Sequence, residues 1–209
     1  MFRALSALTT PLLPEDYLAL VDPLWSSTEL RGRVVDVRRE TPRATTLTIH
    51  PGRAWTGHRA GQYVRVGVDV DGVRHWRTYS LSGTPDDRDL RITVQAQPGG
   101  TISPQLAHHT RPGTIVRLEQ ATGEFVLPTA TPTRLLFVTA GSGITPVMAM
   151  LRTLAARGPL TGVTLVHSAP TPADVIFAAE LRAGGVKRSA WTPGQRAAAA
   201  ASRTSGPQA

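Results

Sequence analysis

A change of pattern near residue 134 constrains this chain more than any other feature. Upstream of it, short segments with β-type patterning follow one another, separated by turn signals. "ELRGRVVDVRRE" (29–40) and "ATTLTIH" (44–50) read as strands parted by the Thr41-Pro42 break. "GQYVRVGVDV" (61–70) sets Val64, Val66, Val68 and Val70 on alternate positions, the period of a strand with one buried face. Asp71-Gly72 then offers the two positive-φ residues of a tight hairpin, and "VRHWRTYSLS" (73–82) runs back. "DLRITVQAQ" (89–97), "GTIVRLEQA" (113–121) and "GEFVLP" (123–128) read as three further strands. Many short strands of this kind predict a small antiparallel β barrel.

Downstream the order is different. "TRLLFVTA" (133–140) is a continuous apolar run, as expected of a strand covered on both faces. "GSGITP" (141–146) follows, then a helix, "VMAMLRTLAARG", closed by Gly158, and a second buried strand, "VTLVHSA". Strand, glycine loop, helix, strand is the opening of a parallel α/β sheet. After residue 182 the sequence has no acidic residue and no apolar strand, carries a run of alanines, and reads as a disordered basic tail. Before residue 30, "PEDYLALVDPLW" (14–25) reads as a short lead-in helix. The expected organisation is a lead-in over 1–29, a barrel over 30–130, a partial α/β unit over 131–182 and a tail over 183–209.

Composition narrows the chemistry. The 209 residues contain no cysteine, which excludes disulfides, thiolate zinc sites and iron–sulfur clusters carried by this chain. The net charge is +8, almost all from arginine, since Lys187 is the one lysine. Such a balance favours acidic partners or phosphorylated ligands. The arginines are dispersed, unlike a nucleic-acid-binding arm, and no nucleic-acid partner is expected. No apolar stretch reaches bilayer length and no secretory signal is evident, so the expected setting is cytoplasmic. His108 and His109 are adjacent and would diverge on a helix, which argues against a shared metal; no metal site is expected.

Three short motifs can carry ligand chemistry. In "GSGITP", Gly141 and Gly143 let backbone approach a pyrophosphate, and the following helix N-terminus offers free N–H groups. Thr145 adds a hydroxyl, and Pro146 suits the first turn. A tight strand-to-helix turn without a ligand reads the same way. "PGGTISPQLAHH" (98–109) is a second glycine-rich approach to a short helix, with Thr101 and Ser103 as caps or phosphate contacts. In "RTYS", Arg77 and Tyr79 share one face of a strand. A guanidinium can fork onto phosphate and an aromatic ring can stack on a flat heterocycle. An ordinary half-buried strand is the competing reading for those four residues.

The order of the motifs goes further than any one of them. Arg-x-Tyr-Ser on a barrel strand, a Gly-Gly loop into a helix, and an α/β unit opened by Gly-x-Gly-x-Thr-Pro together resemble the ferredoxin–NADP reductase superfamily. Within it, the chain is most similar to the bacterial FAD-dependent reductases that serve ferredoxins and oxygenases. "AGQYVRV" and "GEFVLP" also look like that family's barrel, and the resemblance covers residues 30–182. It implies a barrel that binds FAD and an α/β domain that binds NADP or NAD. By the same resemblance Arg77, with Thr78 beside it, would hold flavin phosphate. Tyr79 would stack on the isoalloxazine and Ser80 would lie near its reacting nitrogen, which makes these two the catalytic candidates. Thr93 and Val94 would line the cofactor, and Gly100, Thr101, Ile102 and Ser103 would cradle its phosphates. Gly141, Gly143, Ile144, Thr145 and Pro146 would form the nicotinamide-dinucleotide loop.

The implied function is an oxidoreductase that passes electrons from NAD(P)H through FAD to a ferredoxin-like iron–sulfur protein or an oxygenase or desaturase component. Ser168 ends the second α/β strand, and no acid follows before Asp174, which leans toward NADPH. The chain departs from the family's pattern in lacking later α/β strands and the cysteine that accompanies them. A shortened α/β domain is therefore expected. The alternative function is a flavin-binding electron-transfer module without NAD(P)H turnover.

Overall fold

The computed structural model describes residues 21–26, 28–130, 132–183 and 187–191. Six strands build the first unit: β1 (Arg31–Arg39), β2 (Ala44–Pro51), β3 (Tyr63–Val70), β4 (Val73–Ser80), β5 (Leu90–Gln95) and β6 (Ile115–Leu118). They pair antiparallel in the order β4-β3-β6-β1-β2-β5. A bridge between Leu81 and Ile92 joins the two ends, so the sheet curls into a barrel. Register slips between Val34 and Asp36 in β1, a bulge that bends the strand. The hairpin forms as its sequence predicts: Val70 pairs with Val73, and Asp71 and Gly72 have φ of 51° and 77°.

Alternation decides what the barrel buries. Val64 and Val66 are fully enclosed, with Val68 and Val70 packed at the margin. Leu47, Ile49, Ile92, Val94, Val116 and Leu118 complete the interior, and Tyr79 packs against it. A short helix, α1, plugs one end. It begins as a single α-turn, Ile102–Pro104, and continues as a π-turn over Gln105–His109, burying Ile102 and Leu106.

The second unit is a parallel sheet, β7 (Leu135–Ala140), β8 (Val163–Ser168) and β9 (Lys187–Trp191), in that order. Helix α2 (Ile144–Arg157) crosses from β7 to β8, and α3 (Ala178–Ala183) precedes β9. Both helices contribute to one cluster with Val163 and Leu165. The barrel's Ala44 joins the same cluster, and Ala60 and Leu127 pack on Ala149 and Met150 of α2. Helix α2 is therefore enclosed on nearly every side, between barrel and sheet. Gly61 shows how tight that joint is. Its φ is 103°, and a Cβ there would fall 2.1 Å from the Phe125 carbonyl oxygen and 2.4 Å from Met150 Cε.

The barrel and the α/β unit match the expected fold class, with three local corrections. "GEFVLP" forms no strand. After Thr122 pairs with Tyr63, the chain turns over Gly61, and the Leu127 N–H reaches the Ala60 carbonyl instead of a sheet partner. β7 is not covered on both faces: Leu136 is 65% and Val138 72% exposed, because the described helices pack on the other side. Among the described residues the parallel sheet has three strands rather than two, since β9 falls in the region expected to be a disordered tail. The remainder of that tail lies outside the described residues. So does most of the expected lead-in helix, of which the described end is a 3₁₀ turn at Pro23–Trp25.

Candidate functional site

Two walls face each other across a cleft of about 510 Å³. The barrel supplies one wall. Tyr79 and Ser80 stand at the end of β4, in register with Val64 and Tyr63 of β3. Because Val64 faces the interior, the Tyr79 ring lies partly on the core, with its remaining surface toward the cleft. Burial pushes its phenol up to about 12, only partly offset by the Arg77 charge, so the hydroxyl stays protonated at any ordinary pH. Arg77 is exposed at the cleft, with Nη1 donating to the Trp76 carbonyl at 2.8 Å.

β5 adds Thr93, whose hydroxyl is bonded to those of Thr46 (2.9 Å) and Ser82 (3.2 Å). Past β5, the Gly100 N–H donates to the Gln97 carbonyl and the Gln97 N–H to Ser103 Oγ, both at 3.0 Å. These bonds fold the Gly-Gly turn back on itself and present Gly100, Thr101, Ile102 and Ser103 to the cleft.

The α/β unit supplies the opposite wall. β7 ends in a 3₁₀ turn, Gly141–Gly143, that leads directly into α2. Gly141 has φ of 51°, and a Cβ there would come within 3.9 Å of Gln95 Oε1, so this turn overhangs β5. Gly143 has open space around it. No side chain caps α2; Thr145 Oγ1 instead donates to the Ser142 carbonyl at 2.9 Å. The uncapped first turn of a well-formed helix thus opens on the cleft with Ser142, Gly143, Thr145 and Pro146. Among the described residues, the cleft's lining carries one guanidinium and no carboxylate.

Of the residues singled out in the sequence, the cleft gathers Arg77, Thr78, Tyr79, Ser80, Thr93, Gly100, Thr101, Ile102, Ser103, Gly143, Thr145 and Pro146. It does not gather Val94, whose side chain points into the barrel core, fully buried. Ile144 is likewise enclosed in the α2 cluster, where it anchors the helix start. Gly141 shapes the turn without lining the cleft, and Ser168 pairs with Ala140 at the end of β8, away from the lining. Gln95, Gln97 and Ser142 were missed. The strand period held the signal for the first two: counting by twos from Thr93 reaches Gln95 and Gln97 and passes over Val94.

His167, one residue before Ser168, is 6% exposed. Its Nδ1 is 2.8 Å from Thr139 Oγ1, and its buried Nε2 has no partner among the described residues. Burial holds it below the ordinary imidazole range.

The cleft's two walls correspond to two matched domains. A family model described as an oxidoreductase FAD-binding domain matches residues 40–127, and one described as an oxidoreductase NAD-binding domain matches 137–203. A ferredoxin NADP+ reductase from Neisseria gonorrhoeae, solved with bound FAD and NADP, shares the fold at a TM-score of 0.66 and 24% identity, over 78% of this chain and 68% of that one. The chain carries the FAD-binding and NAD-binding domains of an oxidoreductase, in the fold of the ferredoxin–NADP reductases.

An NADPH oxidoreductase of Mycobacterium tuberculosis is 53% identical over 181 residues, 84% of this chain and 48% of that protein. The FAD/NAD-binding domain of a nitric oxide dioxygenase from Vibrio cholerae superposes with a TM-score of 0.72 at 26% identity, covering 78% and 74% of the two chains. This chain spans between about a third and a half of the length of the curated relatives it matches, from 31% to 48%. Its two domains are of the types that bind FAD and a nicotinamide dinucleotide. No helix among the described residues is long and apolar enough to cross a membrane.

Proposed function

We propose that the chain is the flavin- and nicotinamide-binding part of an NAD(P)H oxidoreductase that delivers electrons to a ferredoxin-like iron–sulfur protein or an oxygenase or desaturase component in the cytoplasm. One observation carries the reading: the Arg-x-Tyr-Ser strand, the Gly-Gly turn and the Gly-x-Gly-x-Thr-Pro turn all border a single cleft. Its volume falls within the usual range for cofactor sites, roughly 300–1,000 Å³.

The residues present suit FAD. Bound there, FAD would supply the conversion of a two-electron donor into one-electron delivery. Tyr79 offers a neutral aromatic face backed by the barrel core, a rigid platform for a flat ring system. Ser80, next along the strand, brings a hydroxyl to the edge of that ring. Arg77 supplies the positive charge that a phosphate requires, and among the described residues of the lining no carboxylate competes for it. Gly100, Thr101, Ile102 and Ser103 offer main-chain N–H groups and hydroxyls to the same phosphates.

On the other wall, the uncapped start of α2 with Gly143, Thr145 and Pro146 favours the negative charge of a dinucleotide. Gly141 and Ile144 act indirectly, one by shaping the turn and the other by seating the helix. Val94 supports the barrel wall from the core side, without lining the cleft. Beyond Ser168 no carboxylate stands before Asp174 to reject a 2′-phosphate, so NADPH is the favoured donor. The NADPH oxidoreductase relative points the same way. The net charge of +8 suits an acidic electron-accepting protein.

The test is a stopped-flow record of the FAD-loaded protein mixed with NADPH. Bleaching of the flavin absorbance is expected. A protein that takes up FAD and stays yellow with NADPH would support the rival reading, a flavin-binding electron-transfer module without nicotinamide turnover. The uncovered face of β7 is the observation that favours that rival.

A further inference from the structure

One cation ties both walls of the cleft together. Arg152 sits in the interior of α2, with its side chain 9% exposed. Its Nε and Nη2 donate to the two carboxylate oxygens of Glu180 at 2.7 and 2.6 Å, a bidentate pair that draws α3 onto α2. The guanidinium lies 4.9 Å from the centre of the Phe177 ring. Its remaining arm, Nη1, leaves the α/β unit and donates to the carbonyl oxygen of Ser82 in the barrel.

Ser82 lies two residues beyond Ser80, and its hydroxyl is bonded to that of Thr93. The chain Arg152–Ser82–Thr93 therefore starts on the helix whose first turn is one wall and ends on a residue of the other. Burial opposes the charge of Glu180, yet its bonds to Arg152 prevail and hold its carboxyl below the ordinary range, so the pair stays ionised at neutral pH.

We propose that Arg152 is a positioning residue that fixes the separation of the two cleft walls by bonding the Ser82 carbonyl of the barrel while it is clamped by Glu180 and Phe177 of the α/β unit. The redox part of this role rests on the reading of the cleft as the FAD and nicotinamide site. All the donors needed belong to one planar fork. Two N–H groups hold Glu180 and a third is aimed the other way, a geometry that lysine cannot reproduce. A transfer between two bound rings depends steeply on their spacing: a misplacement of about 1 Å can cost roughly a hundredfold in rate.

The cysteine-free sequence allows a direct test. Val35→Cys on β1 and Ala156→Cys on α2, both at exposed positions, take spin labels on either side of the joint. The distance distribution is expected to be narrow in the parent chain and to broaden with Arg152→Gln. Arg152→Lys is expected to broaden it as well, although it keeps a positive charge beside Glu180, and it serves as the readout if the glutamine variant does not fold. An unchanged distribution in Arg152→Lys, or a parent distribution already broad, overturns the proposal.

In the FAD-loaded protein, the same lysine variant should lose about tenfold or more in the limiting rate of flavin reduction, with FAD affinity kept within about twofold. A loss of FAD affinity without a change in limiting rate overturns the positioning role. A parent chain that binds FAD and is not reduced by NADPH overturns the redox role, and the distance measurement then decides the strut on its own.

Discussion

The barrel and the α/β unit share helix α2 but cover their sheets in different ways. The barrel closes on itself through the Leu81–Ile92 bridge, so its inward residues meet one another and need no helix over most of their surface. The parallel sheet stays open. Its helices cover one face, while Leu136 and Val138 look outward from the strand at its edge. A closed sheet satisfies its own edges, whereas an open one depends on what lies beside it. The cleft is built where the two designs meet, with the closed unit holding most of its lining and the open one contributing a single turn.

The largest test of this contrast is at the joint. Gly61→Ala would force a Cβ against the Phe125 carbonyl at a φ of 103°. We expect a loss of about 2–4 kcal/mol in urea unfolding, since both strain and a steric clash are imposed. An unchanged midpoint would show that barrel and α2 are less closely fitted than described.

Next in size are the barrel-wall substitutions. Arg77→Ala should weaken FAD binding by roughly ten- to a hundredfold, the loss of a charge-assisted hydrogen bond of about 1.5–3 kcal/mol. Tyr79→Ala should weaken it less, by about two- to tenfold. Equal affinities in a fluorescence titration would count against both assignments.

Amide exchange sharpens the comparison without mutation. Protection across β1, β2 and β5 is expected to exceed that across residues 135–168, because partly covered strands open more readily. Strong, uniform protection of β7 and β8 in the isolated monomer would remove the distinction.

A smaller effect should follow pH. Burial holds His58 in the barrel and His167 in the sheet below the ordinary value of 6.5. Both folded-state values are depressed, so the unfolded chain binds protons first. Stability from these groups is present above pH 6.5 and lost as pH falls through the depressed values. Thermal unfolding between pH 7 and 5 should show the decline, and His58→Gln should flatten part of it.

Much of this architecture was legible residue by residue. Asp71-Gly72 marked the hairpin because few pairs accept two positive φ angles, and the order of three glycine- and hydroxyl-bearing motifs foretold which residues share a cleft. Val94 lies outside the cleft lining because a motif match names neighbours in sequence, while a strand sends neighbours to opposite faces. β9, "KRSAW", has no apolar alternation of its own and becomes a strand through its pairing with β8. The apolar run of β7 gave no hint of its open face, because hydrophobicity states a preference for cover without saying whether cover is supplied. Arg152 looked like any arginine on an amphipathic helix; its three partners come from segments that only the tertiary fold brings together.

Leu136 and Val138 carry a practical consequence. Two aliphatic side chains held in water, side by side along an edge strand, make crowding itself a hazard for this molecule. Raising the concentration is expected to bring these exposed strands together, and an environment-sensitive dye is expected to light up on them while the barrel is still intact.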